Sequence, residues 1–157
     1  MEFRLAKEQE KEIILAMYDG ERFTPHCAWD EVYPTMDNIT ADMAAGNLFV
    51  LEDNRQIVGS IAVNRENEIV DEPLYSSQDA AEFGRVIVSR NARGKGYGKL
   101  LVQNMEKEIA RRGIHHVHIL VYQNSIIAAR MYQSLGYVKR GEKVFSDIPF
   151  ILFEKDV

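Results

Sequence analysis

Residues 86–101, VIVSRNARGKGYGKLL, constrain this chain more than any other stretch. An apolar β-branched run (Val86, Ile87, Val88) leads through a polar turn into a glycine-rich loop that opens an amphipathic helix. That order fixes a strand, a tight turn and a helix start in succession. Gly94, Gly96 and Gly98 lack a Cβ, so main-chain N–H groups there can approach an anion closely, and the helix N-terminus adds partial positive charge. Arg93, Lys95 and Lys99 add full charges. The stretch reads as a site for an anionic, pyrophosphate-bearing ligand, with an ordinary glycine-rich turn as the plainer alternative.

Spacing decides which ligand. A P-loop needs Ser or Thr after Gly98-Lys99 and a glycine five residues before Gly98, where this chain has Leu100 and Arg93. The dinucleotide pattern G-x-G-x-x-G needs glycine at position 99 or 101, which hold Lys99 and Leu101. What is present is R-x-x-G-x-G, from Arg93 through Gly96 to Gly98, directly after the strand.

Composition closes off other classes. The chain has 157 residues, enough for one domain over 1–157 with a real core. Its formal net charge of -5 argues against nucleic-acid binding and leaves room for a cationic substrate. Residues 1–20 lack a basic region followed by an apolar run, and no stretch approaches the roughly 18 apolar residues of a membrane span. A cytoplasmic protein with no membrane partner is therefore expected. Cys27 is the only cysteine, so no internal disulfide forms. Either it is a nucleophile beside His26 or, more simply, a loop thiol.

Periodicity supplies the elements. Residues 3–6 read as a strand and 7–18 as a helix striped by Ile13, Ile14, Met17 and Tyr18. Residues 21–33 then mix Phe23, Trp29 and Tyr33 with His26, Asp30 and Glu31. Such a loop either walls a pocket for an amine, through cation–π and ion-pair contacts at Trp29 and Tyr33, or fastens itself to the core through Trp29 and Phe23. Thr35 or Asp37 caps a second helix reaching to about residue 45. Residues 48–51 and 56–63 form a hairpin around Asp53-Asn54. The polar stretch 64–78 either borders the site or is solvated loop.

Residues 81–89 form the central strand, with Glu82, Gly84, Val86 and Val88 on one face and Phe83, Arg85 and Ile87 on the other. Glu82 is a candidate base, or else a structural partner of Arg85. Tyr97, Leu101, Met105 and Ile109 stripe the next helix, and 116–122 make a fifth strand. On that strand His116 and His118 face one way and His115 the other. No cysteine or carboxylate stands at zinc-like spacing, so hydrogen-bonded strand histidines and no metal are expected.

From Asn124-Ser125 a last helix carries Ile127, Met131 and Leu135 in one row and Ala128 and Tyr132 in the next, and Gly136 closes it. Strands at 137–145 and 150–154 follow. The R-x-x-G-x-G run after a strand ending VIV resembles the acyl-CoA signature of the GNAT superfamily of N-acetyltransferases. The run A-A-R-M-Y-Q-S-L-G-Y, with Tyr132, Gly136 and Tyr137, is similar to that family's N-x-x-A-x-x-x-Y-x-x-x-G-F/Y. It departs in one place, since Ser125 holds the asparagine position and Asn124 stands one residue early. The order β-α-α-β-β-β-α-β-α-β-β resembles the family domain over nearly the whole chain.

The resemblance implies an α/β (α+β) fold, with a mixed, mostly antiparallel sheet of about seven strands, flanked by four helices and splayed between strands four and five. It implies acetyl-CoA as acyl donor, without a metal. The main chain of Val86, Ile87 and Val88 would hold the acetyl and pantetheine portions. The amides of Arg93, Gly94, Lys95, Gly96, Tyr97, Gly98 and Lys99 would hold the pyrophosphate, with Asn124 also reaching the cofactor and Ser125 capping its helix. The implied activity is N-acetylation of a primary amine of a small molecule or peptide, with Tyr132 at the leaving sulfur and Glu82 taking the amine's proton. A protein N-terminal or longer-chain acyltransferase, and a non-catalytic CoA-binding regulatory module, stay open. So does a homodimer, since late strands of this kind can pair between subunits.

Overall fold

Two hairpin turns and, among the described residues, three register shifts set the pairing of the sheet. The computed structural model describes residues 1–64 and 72–157, so part of the expected connection 64–78 lies outside the described residues. The strands are β1 (Glu2–Leu5), β2 (Leu48–Asp53), β3 (Gln56–Asn64), β4 (Ala81–Val88), β5 (His116–Tyr122), β6 (Val138–Phe145) and β7 (Ile148–Asp156). The helices are α1 (Lys11–Asp19), α2 (Met36–Ala44), α3 (Tyr97–Arg111) and α4 (Ile126–Ser134). Among the described residues all seven strands lie in one sheet, ordered β1-β2-β3-β4-β5-β7-β6, and only the β4–β5 pairing is parallel. No helix among the described residues is long and apolar enough to cross a membrane.

Both tight hairpins turn on two residues with positive φ, Asn54-Arg55 between β2 and β3 and Ser146-Asp147 between β6 and β7. Paired positive φ is the geometry that matches strand twist. It moves the first turn one residue later than Asp53-Asn54 and starts β7 at Ile148, while pairing with β5 up to His116–Asp156 carries β7 past residue 154. The helix expected over 7–18 is divided into a 3-10 turn at Glu8–Glu10 and α1. Glu10 causes the break, because its Oε2 accepts the Lys7 N–H at 2.7 Å while Oε1 accepts Arg4 Nη2, also at 2.7 Å. Thr35 is the N-cap of α2, and its N–H donates to Asn38 Oδ1 at 2.8 Å.

Each face of the sheet buries its own core. On one side α3 and α4 cover Phe49, Ile61, Val63, Phe83, Ile119 and Phe153, among others, through Leu101, Met105, Ile109 and Tyr132. On the other, α1 and α2 bring Ile14, Tyr18 and Ile39 against Leu48, Val50, Ala62 and Ile87.

Phe83 and Ile87 thus sit in different cores, although simple alternation puts them on one face. The reason is Arg85. Ala62 pairs with Gly84 and Ser60 with Ile87, so β4 carries one residue more than β3 across that interval. Arg85 takes a φ of 48° and makes the bulge. Alternation reverses there, which corrects the expected face sharing: Val86 and Val88 join Phe83 on the α3 side. Glu82 is in register with His118 on the opposite face.

Candidate active site

The glycine-rich loop follows β4 through a 3-10 turn at Arg90–Ala92, and Gly96 is the N-cap of α3. Gly94 and Gly96 have φ values of +78° and +81°, which an L side chain rarely adopts, and a Cβ on either would meet nothing within 4 Å. The backbone there lies bare and open. A Cβ on Gly98, by contrast, would lie 3.2 Å from Met131 Sδ and 3.9 Å from Val88 Cγ2. Gly98 therefore keeps clear the gap where β4, α3 and α4 converge. These features fit a pyrophosphate at the loop with its tail running between β4 and α4.

That gap continues into the sheet. β4 and β5 are in register only at Ala81–Val117 and Glu82–His118, after which they part. The Ser89 N–H bonds the Val58 carbonyl at 2.9 Å, and hydrogen-bonded pairs alternate along an antiparallel ladder. Ile87 thus bonds towards β3, while the main-chain groups of Val86 and Val88 face the split. Arg93 Nε already donates to the Val88 carbonyl at 3.2 Å.

α4 brings Tyr132 to the α3 side of the split. Its ring lies 6.0 Å from Phe83, 5.6 Å from Tyr137 and 6.5 Å from Phe153, and burial pushes its phenol pKa upwards. Among the described residues its hydroxyl makes no hydrogen bond. Tyr97 points away, and its hydroxyl donates to Asp53 Oδ2 in the β2–β3 hairpin. Asn124 is exposed, with Nδ2 donating to the Tyr122 hydroxyl at 3.2 Å. Ser125 does not cap α4 with its side chain; its hydroxyl donates to the His26 carbonyl instead.

Residues 21–35 thereby cross the mouth of the split, held at α4 by Ser125 and at the glycine-rich loop by Glu21. The Glu21 carboxylate is buried, and it accepts Arg93 Nη2 at 2.5 Å and Arg90 Nε at 3.3 Å, with His26 Nε2 at 3.1 Å. Burial works to raise its pKa, but Arg93 and His26 outweigh it and hold the group below the ordinary carboxylate range. Nothing local in the sequence singles out Glu21 for this. Lys95 and Lys99 are exposed and form no ion pair with a described residue.

Trp29 fastens its loop to the core and borders a cavity as well. It packs edge-on against Tyr18 at 5.2 Å and also lines a cavity of about 330 Å³ bounded by Phe23, Asp30, Tyr122 and Asp147. Tyr33 is apart from that cavity, and its hydroxyl accepts Arg85 Nη1 at 2.8 Å. Cys27 borders the cavity, and burial raises its thiol pKa, the environment of a resting thiol and not of a nucleophile.

Strand pairing also does what spacing along the chain cannot. It brings Glu154 of β7 opposite His118 and beside His116, the carboxylate that is missing from the neighbourhood of the histidines in sequence.

A family model described as the acetyltransferase (GNAT) family matches residues 11–137. Several solved structures share the fold. A ribosomal-protein-alanine N-acetyltransferase from Brucella melitensis is 21% identical, with 100% of both chains covered and a TM-score of 0.79. The yncA protein from Salmonella typhimurium, solved with its cofactor acetyl-CoA, is 19% identical over 99% of this chain and 93% of its own, with a TM-score of 0.79. A GNAT-family acetyltransferase from Streptococcus agalactiae reaches a TM-score of 0.82 at 17% identity, covering 99% of this chain and 95% of that one.

Proposed function

The chain belongs to the acetyltransferase (GNAT) family, and from that premise we propose that it transfers the acetyl group of acetyl-CoA to a primary amine of a small molecule or peptide. The observation that carries this reading is the split between β4 and β5, with the main chain of Val86 and Val88 turned into it and an open glycine loop at its end. In this reading the amides of residues 93–99 take the pyrophosphate, and Lys95 and Lys99 supplement them.

When bound, acetyl-CoA supplies an activated thioester. The protein's part is to prepare the amine and to stabilise charge. An alkyl amine near pKa 10.4 is roughly 3.4 units above neutral pH, so its neutral form costs about 4.6 kcal/mol. Glu82, where strand pairing ends, accepts that proton directly or through water. The Val88 N–H donates to the negative charge developing on the thioester oxygen. Tyr132 donates a hydrogen bond to the departing sulfur. Proton transfer from a phenol whose pKa burial raises to the thiolate of a thiol near pKa 8.5 is uphill, so Tyr132 keeps its proton and stabilises the leaving thiolate by hydrogen bonding, and the thiolate takes its proton from water after release.

The cavity beside Trp29 supports a cationic acceptor. Aromatic rings from Phe23 and Trp29 meet carboxylates from Asp30 and Asp147, the chemistry that receives an ammonium group. Release of CoA thiol, followed with polyamines, amino acids, aminoglycosides and short peptides, tests the proposal. Turnover with one amine class supports it. Calorimetric binding of acetyl-CoA without turnover on any amine would replace it with a CoA-binding regulatory role, and absence of binding would overturn it.

A further inference from the structure

His116, His118 and Glu154 are all buried, and one potential ligand atom from each lies within 4.8 Å of the other two. We propose that they hold a divalent transition-metal ion of the zinc class, through His116 Nε2, a ring nitrogen of His118 and Glu154 Oε2. This inference does not rest on the acetyl-transfer reading.

The fold builds the donor set. Residues two apart on a strand share a face, so His116 and His118 point together from β5. Glu154 stands directly across from His118 on β7. Two imidazoles and a carboxylate form a recognised zinc donor set that leaves a fourth position for water.

The surroundings are those of an oriented ligand shell. His116 Nδ1 lies 2.6 Å from Asp156 Oδ1, the carboxylate–imidazole contact that fixes the ring of a metal ligand. Glu154 Oε1 accepts from Arg140 Nε, and the Ser76 N–H is shared between Oε1 at 3.2 Å and Oε2 at 2.9 Å, which fixes the carboxylate with Oε2 against His116 and one lone pair of Oε2 available to an ion. His118 is fully buried and stacked 3.7 Å from the Tyr75 ring, and neither of its nitrogens makes a hydrogen bond of normal geometry with a described residue. The Ser77 main chain does act on the ring, from outside normal hydrogen-bond geometry. A wholly buried imidazole with no hydrogen bond of normal geometry to a described residue at either nitrogen can offer one of them to a ligand. Binding would replace the 2.7 Å contact between His116 Nε2 and Glu154 Oε2 and release the one proton they share.

The test uses the full chain, stripped with chelator and titrated with ZnCl2 by calorimetry. One ion per chain is expected, with a higher melting temperature, and CoCl2 in its place should give the visible absorption of a nitrogen- and oxygen-ligated site. His118→Ala and Glu154→Gln should each weaken zinc binding at least tenfold, while His115→Ala, whose ring lies on the other face, leaves it unchanged. Asp156→Asn alters an almost wholly exposed side chain, so the protein keeps its fold, and it should weaken binding about tenfold. No stoichiometric uptake by the parent protein, as a buried water at the site would give, overturns the proposal. So does parent-like affinity in both His118→Ala and Asp156→Asn.

Discussion

Glu21 and Arg93 form an ion pair at 2.5 Å that ties residues 21–35 to the glycine-rich loop. A pyrophosphate at that loop and the Glu21 carboxylate attract the same guanidinium. The Arg93 side chain is 43% exposed, so the pair is worth about 0.5–1 kcal/mol, or roughly two- to fivefold in affinity. Glu21→Gln should therefore tighten acetyl-CoA binding by about that factor while lowering the melting temperature. Calorimetry and a thermal melt on one preparation check both, and weaker binding would remove Arg93 from the phosphate site.

Tyr132→Phe keeps the ring among Phe83, Tyr137 and Phe153 and deletes only the hydroxyl. Turnover should fall by roughly 10- to 100-fold with acetyl-CoA affinity little changed. Steady-state kinetics with a saturating acceptor measure it, and a loss under twofold would take Tyr132 out of the mechanism.

Gly59 lies where β3 passes β4 under α3. A Cβ on it would fall 2.6 Å from the Ile87 carbonyl oxygen and 2.8 Å from Leu101 Cδ1, and the backbone contact cannot yield. Gly59→Ala should cost about 2–3 kcal/mol of stability, read from the midpoint of urea unfolding.

Glu154 sets an acid limit in metal-free protein. Burial tends to raise its pKa, but the Ser76 main chain, His116 and Arg140 prevail and bring it down to about 2, against 4.5 unperturbed. The folded value lies below the unfolded one. Its contribution is full above the unfolded value and disappears as pH falls towards the folded one. Stability in chelator should drop between about pH 5 and pH 2, and Glu154→Gln should flatten that slope while costing about 2–3 kcal/mol at neutral pH. Urea midpoints across pH follow both, and an unchanged slope in the variant would assign the acid limit elsewhere.

Local signals were legible in the sequence, and contacts between distant strands were not. The order from β4 through Gly96 to α3 could be read because each step depends on neighbours a few residues away, and Leu101, Met105 and Ile109 are buried as their spacing requires. Arg85 gave no warning of a bulge, since Gly84 beside it is the residue that ordinarily takes positive φ. The phase of β4 changes at that bulge, so Val86 and Val88 leave the face that Glu82 keeps. The partnership of Glu21 with Arg93 spans 72 residues, and that of His116 with Glu154 spans 38. Both depend on strand order and loop closure, which periodicity does not encode. Ser125 was a cap candidate by residue type, but a carbonyl from residue 26 claimed its hydroxyl.

The sheet is also two leaves sharing a short hinge. Among the described residues Ala81–Val117 and Glu82–His118 are its only registered joints, and beyond them each leaf completes its ladder without the other. What spans the open angle is side-chain packing, with Val86 and Val88 on one leaf, Ile119 and Phe153 on the other, and Met131 and Leu101 between them. The width of the cleft is therefore a property of side-chain volume. Substitutions at Met131 or Val88 can retune the aperture for a different acyl group while the hydrogen-bonded frame of each leaf stays intact.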